Sequence, residues 1–237
     1  MTWSSEKLNS DGGRRLSELA GKEDEDEGKR SLTRSLQRGF VYSWGLGDSG
    51  CLGHGDYNTL EEPRMLACLG ENMEEGSPLQ ANVVYVEAGG YHNGVITADS
   101  QVLLWGRGDV GQLGLSKDVL SEDQKGHVAL TPTLLEFPDK RVDQIALGEV
   151  HTLFLTHSDA ESGEPRQHLY SCGWNDLGQL GMSAQQEEDE KDRPLHHIEL
   201  HFEDQEDSIK QIKCGAVFST LLTAKGHVYA WGNNANG

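Results

Sequence analysis

One thirteen-residue segment recurs along this chain and constrains its fold more than any other feature. Its copies read VYSWGLGDSGCLG at 41–53, VLLWGRGDVGQLG at 102–114, LYSCGWNDLGQLG at 169–181 and, shortened, VYAWGNNANG at 228–237. The steps between the equivalent residues Trp44, Trp105, Cys172 and Trp231 are 61, 67 and 59 residues. Self-similarity at a near-fixed period predicts stacked copies of one supersecondary unit.

Each copy opens with four apolar or aromatic residues typical of a strand and continues with three or four glycines in nine positions. This density excludes a helix, where each glycine costs about 1 kcal/mol relative to alanine. Glycine suits turns that need a positive φ or a close backbone approach. We therefore predict a strand followed by a Gly-rich turn. The structural glycines of these turns are Gly45, Gly50, Gly53, Gly106, Gly111, Gly114, Gly173, Gly178 and Gly181.

A second recurring segment lies between the copies of the first and fixes the phase of the repeat. It reads VEAGGYHNGVIT at 86–97, IALGEVHTLFLT at 145–156 and IKCGAVFSTLLT at 212–223. Each copy has an apolar start, a glycine (Gly89, Gly148 or Gly215) and an apolar stretch that ends in threonine. Because this glycine begins the turn before a strand, we expect it to hold backbone geometry that a side chain cannot share.

Together the two segments define a repeat region from residue 40 to residue 237. Its repeats run over about 41–100, 101–168 and 169–227, with the start of a fourth at 228–237. Short strands at regular spacing, separated by Gly-rich turns, are typical of all-β architecture. A period near sixty residues fits one four-stranded propeller blade per repeat. We therefore predict an all-β fold, a partial β-propeller of four-stranded blades.

Charge narrows the choice of partners. The chain has 20 Lys and Arg against 39 Asp and Glu, a formal net charge of −19. Residues 1–39 hold eight residues of each sign and lack apolar periodicity, so we expect a disordered, charged tail. The whole excess of negative charge then lies in the repeats. This argues against direct binding of nucleic acid, whose affinity comes mainly from neutralised phosphates, and is compatible with a basic protein partner.

Cysteine usage and hydropathy indicate the compartment. The four cysteines, Cys51, Cys68, Cys172 and Cys214, have no CxxC spacing, and we expect free thiols. No run of eighteen apolar residues and no apolar N-terminal stretch is present, so the sequence predicts neither a membrane span nor a secretory signal. We expect an intracellular protein of the cytoplasm or the nucleus.

Two kinds of sequence motif could indicate a cofactor or a metal site, but the residues around them do not support either site. Two turns match the dinucleotide fingerprint GxGxxG at 45–50 and 106–111, but the residues that follow break a helix, which the fingerprint needs. His196, His197 and His201 form a cluster in sequence. On one strand, however, His197 and His201 would lie roughly 13 Å apart. We predict surface histidines, no metal site, no cofactor and no catalytic residues.

The pattern W-G-x-G-x-x-G-Q-L-G followed by G-x-x-H-T-x-x-L-T resembles the repeat of the regulator of chromosome condensation family. The resemblance covers everything from about Phe40 to Gly237. In that family seven repeats form a seven-bladed propeller, so this chain resembles an N-terminal fragment with three repeats and the start of a fourth. Cys172 in place of the aromatic residue and Phe218 in place of the histidine depart from the pattern.

The loops of the second segment carry the candidate site. His92 and His151 recur at one repeat position, and such recurrence favours a structural imidazole bonded to the neighbouring blade. The residues just before them vary within an otherwise fixed loop, and such loops usually carry binding specificity. The resemblance implies that the loop contacts a small GTPase in the exchange factor of the family. By position, the partner-binding residues are then Tyr91, His92, Glu149 and His151.

Two functions remain open from the sequence. The first is a regulatory protein-binding propeller that acts as a guanine-nucleotide exchange factor for a small GTPase. The second is a non-catalytic interaction scaffold within a larger protein such as a ubiquitin ligase. Neither function makes the chain a catalytic enzyme, and fold alone does not separate them.

Overall fold

The computed structural model describes residues 40–66, 82–123, 126–137, 140–158, 166–182, 194–202 and 207–235. The predicted disordered tail, 1–39, lies outside the described residues. The described part contains one 3₁₀ turn, Lys117–Val119, and fourteen strands. The strands are β1 Tyr42–Gly45, β2 Leu60–Met65, β3 Val83–Ala88, β4 His92–Thr97, β5 Val102–Arg107, β6 Ser121–Asp123, β7 Gly126–Leu135, β8 Lys140–Leu147, β9 His151–Ser158, β10 Gln167–Gly173, β11 His196–Ile198, β12 Ile209–Cys214, β13 Phe218–Thr223 and β14 Val228–Gly232.

The strands form four antiparallel sheets in chain order. The first sheet is β1–β2, the second is β3–β4–β5–β7–β6, the third is β8–β9–β10–β11 and the fourth is β12–β13–β14. The third sheet is a meander in which neighbouring strands follow one another along the chain, as in a propeller blade. The second sheet begins in the same way with β3–β4–β5, but β5 then pairs with β7, and the short β6 pairs with the far edge of β7. We call these two the central sheets. The predicted all-β propeller architecture is confirmed.

The sheets are offset from the sequence repeats. The turn at 98–101 joins β4 to β5 within the second sheet, and Ser100 has a positive φ of 62° there. Each central sheet therefore takes its first two strands from around the glycine-x-x-histidine segment of one repeat and its third strand from the tryptophan-glycine segment of the following repeat.

The core lies between the sheets rather than inside any one of them. In β9, Leu153 and Leu155 pack towards the fourth sheet while Phe154 packs towards the second, so this strand is buried on both faces. Phe154 is fully buried against Phe137, whose ring centroid is 5.1 Å away. At roughly 25 cal/mol per Å² of buried apolar surface, these interfaces supply the main favourable term in folding.

One contact repeats at each successive interface. The indole Nε1–H of Trp105 donates to the carbonyl oxygen of Cys51 at 2.8 Å, and that of Trp231 donates to Gln179 at 3.0 Å. Cys172, in the equivalent position, donates its thiol to the carbonyl of Gln112 at 3.4 Å. The cysteine thus keeps the contact of the aromatic residue it replaces. Burial raises the pKa of the Cys172 thiol, so it stays protonated and can donate.

The repeat glycines adopt the same conformation in every copy. The glycine after Trp44, Trp105, Cys172 or Trp231 has φ between 102° and 113°. A side chain at Gly106 would also meet the carbonyl oxygen of Tyr91, 2.5 Å from its Cβ. The remaining turn glycines likewise have positive φ: Gly50, Gly53, Gly111, Gly114, Gly178 and Gly181.

Candidate functional site

Three loops of equivalent sequence lie side by side at one end of the strands. They are 89–91, 148–150 and 215–217, and we call their combined surface the loop face. The N–H of Gly90 donates to the carbonyl oxygen of Gly148 at 2.9 Å, and the N–H of Glu149 donates to that of Ala216 at 3.0 Å. A shallow groove of about 390 Å³ lies between these loops. The loop face is therefore held together by backbone contacts between successive repeats.

Glycine is required at these positions of the loop face because no room is left for a side chain. None of Gly89, Gly148 and Gly215 has a positive φ. A Cβ on Gly89 would lie 2.5 Å from the carbonyl oxygen of Gly148, and a Cβ on Gly148 would lie 2.7 Å from that of Gly215. Real Cβ atoms do not approach a carbonyl oxygen so closely. The close packing of the three loops therefore depends on these glycines.

Of the four predicted partner-binding residues, two have buried side chains. His92 and His151 are 0% exposed. The Nε2 of His92 lies 2.7 Å from the hydroxyl of Thr152, and the Nε2 of His151 lies 2.9 Å from that of Ser219. Each imidazole joins two adjacent sheets, as expected for a structural imidazole at this repeat position. A buried imidazole cannot touch a partner, so the accessible part of the predicted site is Tyr91 and Glu149.

Burial also sets the charge of these histidines. It lowers the pKa of His92 to about 3, with a smaller contribution from His151 nearby. It lowers the pKa of His151 to about 4, and a backbone hydrogen bond at Phe218 opposes this shift. Both imidazoles are therefore neutral near pH 7, as a buried side chain bonded to a hydroxyl requires.

Tyr91 and Glu149 belong to a polar cluster on the loop face. The guanidinium of Arg107 lies 5.3 Å from the centre of the Tyr91 ring. It also makes two hydrogen bonds of 2.8 Å to the carboxylate of Asp109. These bonds, with the charges of Asp109 and Glu149, raise the pKa of Arg107. The cluster thus presents an aromatic ring, a fixed cation and two carboxylates to solvent.

Sequence reasoning did not assign Arg107 and Asp109 to the site. Arg107 follows the glycine of the tryptophan-glycine turn, and its N–H donates to the carbonyl oxygen of Tyr91 at 3.0 Å. The N–H of Trp174 bonds in the same way to Val150. In these copies the residue after this glycine therefore lies beside the loop face. Its variation between copies, Leu46, Arg107 and Trp174, was the signal that could have assigned it.

Among the described residues, no group of three or more His, Cys, Asp or Glu is arranged to hold a metal ion. Across the same described ranges, no helix is long and apolar enough to cross a membrane.

Comparison with known families agrees with this geometry. The profile of the Regulator of chromosome condensation (RCC1) repeat matches residues 38–96, 99–155 and 168–222, and a second profile of the same repeat matches 209–237. The chain belongs to the regulator of chromosome condensation (RCC1) repeat family. The matched segments cover most of the described sheets. Like the sequence repeats, they do not coincide with single sheets, because the boundary between the first two matches, at residues 96–99, falls between β4 and β5 of the second sheet.

Relatives with this repeat are diverse and much longer than the chain. The human E3 ubiquitin-protein ligase HERC2 is 33% identical over 200 residues, which are 84% of this chain and 4% of that protein. The human X-linked retinitis pigmentosa GTPase regulator is 31% identical over 156 residues, 65% of this chain and 13% of that protein. Among solved structures, human WBSCR16 superposes with a TM-score of 0.60 at 24% identity, over 83% of this chain and 44% of that one. The last likeness concerns the fold alone.

Proposed function

We propose that the loop face binds a protein partner, and that this partner is a small GTPase whose bound nucleotide is released by the encounter. The observation that supports the proposal is the arrangement of the three loops. Their glycines and buried histidines form a fixed frame, while the side chains that differ between copies, Tyr91 and Glu149, face outwards beside Arg107. Variable side chains on a rigid frame are the usual basis of binding specificity.

Nucleotide release requires no side-chain chemistry in this chain. A surface that binds the nucleotide-free GTPase more tightly than the loaded one shifts the GTPase towards the free form. Each tenfold preference corresponds to about 1.4 kcal/mol. The exposed ring of Tyr91 and the ion pair of Arg107 with Asp109 are groups of the kind that supply such differential contacts. The name of one relative, the X-linked retinitis pigmentosa GTPase regulator, is in keeping with this role.

A binding experiment tests the proposal. A panel of small GTPases is presented to the chain in nucleotide-free and nucleotide-loaded forms, and dissociation constants are measured for each. We expect one member to bind more tightly when free, and we expect Tyr91→Ala and Glu149→Arg to weaken this binding. Asp99→Arg is the matched control for the charge reversal, because Asp99 is exposed in the turn at the opposite ends of β4 and β5.

The alternative is a scaffold that recruits a protein to another activity, and the match to a ubiquitin ligase favours it. A scaffold would bind its partner through the same loop face but would show no preference between the nucleotide states of a GTPase. Binding of a GTPase with equal affinity in both states would therefore refute exchange and leave recruitment. We expect either encounter to take place in the cytoplasm or the nucleus.

A further inference from the structure

Two histidines far from the loop face lie close together on the third sheet. β10 and β11 pair with Leu169 opposite Ile198 and with Tyr170 opposite His197. Side chains alternate between the two faces of a strand, so His168, Tyr170 and His197 share one face. Leu169 and Ile198 are buried on the other. His168 is half-buried and His197 is exposed, so the pair is open to solvent.

The spacing of the two imidazoles suits a shared ligand. The Nδ1 of His168 lies 3.3 Å from the Nε2 of His197. Without a ligand this contact is a long hydrogen bond between the two rings, since bonds from nitrogen donors are most often about 2.9–3.0 Å. Two imidazole nitrogens that bind one tetrahedral metal ion at roughly 2.0–2.1 Å are about 3.4 Å apart. The two nitrogens therefore lie close to the separation that a common metal ion would impose.

The ring of His197 is held in place by the core. Its centroid lies 5.1 Å from that of Tyr170, and Tyr170 packs in turn on Phe137 at 5.9 Å. The ring of His168 lies 5.4 Å from that of His197. Aromatic contacts of this kind favour a limited set of orientations. A ligand therefore meets two preorganised nitrogens and loses little free energy in ordering them.

We propose that His168 and His197 form a solvent-accessible two-histidine site for a late first-row divalent metal ion, with Zn²⁺ as the probe. Imidazole is a preferred ligand of Zn²⁺, Ni²⁺ and Cu²⁺, whereas Mg²⁺ and Ca²⁺ prefer oxygen. No third His, Cys, Asp or Glu of the described residues completes the ligand set. Water fills the remaining positions, as it fills the open position of catalytic zinc sites, so the ion exchanges readily with solution.

The bound ion has a structural consequence for β11. This strand is three residues long and lies at the edge of the third sheet, where β10 is its one partner among the described strands. An ion held by His168 on β10 and His197 on β11 joins the two strands beyond their backbone hydrogen bonds. Because the ion binds the folded chain preferentially, it also raises the thermal unfolding midpoint.

Zinc titration of the untagged, chelator-treated chain tests the site. Calorimetry should show a binding event that His168→Gln and His197→Gln each weaken by about tenfold or more, because even indirect partners of a ligating histidine are worth roughly 10- to 100-fold in metal affinity. Zinc should also raise the unfolding midpoint and slow hydrogen exchange at the β11 amides. Magnesium at the same concentration should do neither.

Two histidine variants serve as controls, because the chain has 10 histidines. His196→Gln changes the next residue on β11, whose side chain lies on the opposite face, and His201→Gln changes one beyond the strand. Both should bind zinc as the parent does. The proposal is overturned if zinc binding survives both His168→Gln and His197→Gln. It is equally overturned if millimolar zinc leaves the hydrogen-exchange rates of the β11 amides unchanged. That result is expected if the two rings form only a hydrogen bond with each other.

Discussion

The imidazole of His92 and the hydroxyl of Thr152 are joined by a 2.7 Å hydrogen bond that crosses from the second sheet to the third. The Thr152 hydroxyl donates its own proton to the carbonyl oxygen of Gln112, also at 2.7 Å. The imidazole must therefore carry its proton on Nε2 and donate it to Thr152. His151 and Ser219 repeat this arrangement at the next interface, with Ser219 donating to Gln179 at 2.8 Å. The histidine is thus a connector between blades.

We predict that Thr152→Val destabilises the chain by about 1–3 kcal/mol, because it leaves the buried imidazole donor of His92 without a partner. It also leaves the carbonyl of Gln112 with only the longer contact from the Cys172 thiol. The free energy of unfolding from urea denaturation measures the effect. Thr131→Val is the control, since Thr131 is exposed on β7 and valine is equally suited to a strand. Equal losses in the two variants would contradict a special role for the connector.

We predict that acid weakens the fold through His92 and His151. Their pKa values are about 3 and about 4 in the folded chain, below the ordinary 6.5. The unfolded chain therefore binds more protons below about pH 6.5, and stability falls as the pH drops towards these values by up to about 1.4 kcal/mol per pH unit per histidine.

The control for this pH dependence is the double variant His92→Gln with His151→Gln, whose amides can still donate to Thr152 and Ser219. Unfolding free energies between about pH 7 and pH 5.5 avoid most of the titration of the carboxylates. The double variant should lose the part of the slope that comes from the two histidines. An unchanged slope would show that other groups are responsible.

We predict that Gly148→Val destabilises the chain by more than about 1 kcal/mol, beyond the effect of an ordinary surface substitution. The added side chain would collide with the ring of His151 and with the carbonyl oxygen of Gly215. Ala216→Val is the matched control, because Ala216 is exposed in the next loop. A neutral result of the valine substitution at two of the three sites, Gly89, Gly148 and Gly215, would mean that the alignment of the repeats is wrong.

The recurring segments were sufficient to predict the all-β architecture and the positions of the turns. They did not predict which strands share a sheet. The boundary drawn between residues 100 and 101 falls inside a tight turn, in which the N–H of Thr97 bonds to the carbonyl of Gln101. The repeat of the sequence has no intrinsic starting point, so only strand pairing shows where one sheet ends and the next begins.

The candidate site was also predicted only in part, because the sequence repeat does not show which side chains meet at the surface. Recurrence located the loops and favoured a structural role for His92 and His151. The resemblance to the exchange factor nevertheless kept both histidines among the predicted partner-binding residues. The stacking of Arg107 on Tyr91 joins two segments that are sixteen residues apart. Such contacts depend on how the turn after β5 folds back over the loop face, and no periodicity in the sequence encodes that.

The final prediction concerns apolar side chains that are exposed on the first, second and fourth sheets. Trp44 occupies the position at which Trp105 donates to a turn carbonyl, yet Trp44 is 58% exposed and Trp105 only 2%. Val86 on β3 is 59% exposed and Val228 on β14 is 69% exposed. The described sheets thus carry apolar side chains at both ends that the central interfaces bury. Large exposed apolar patches in soluble proteins favour association.

We therefore expect the 237-residue chain on its own to self-associate or to unfold with poor cooperativity. Sedimentation velocity at low micromolar concentration, together with a calorimetric scan, measures both properties. Val86→Thr should reduce association, because it lowers the apolar area of the patch and keeps a β-branched side chain in the strand. Val119→Thr, at a position 58% exposed outside the sheets, should have no such effect. A monodisperse monomer with one sharp transition would show that these surfaces are satisfied in another way, and would exclude an open array of blades.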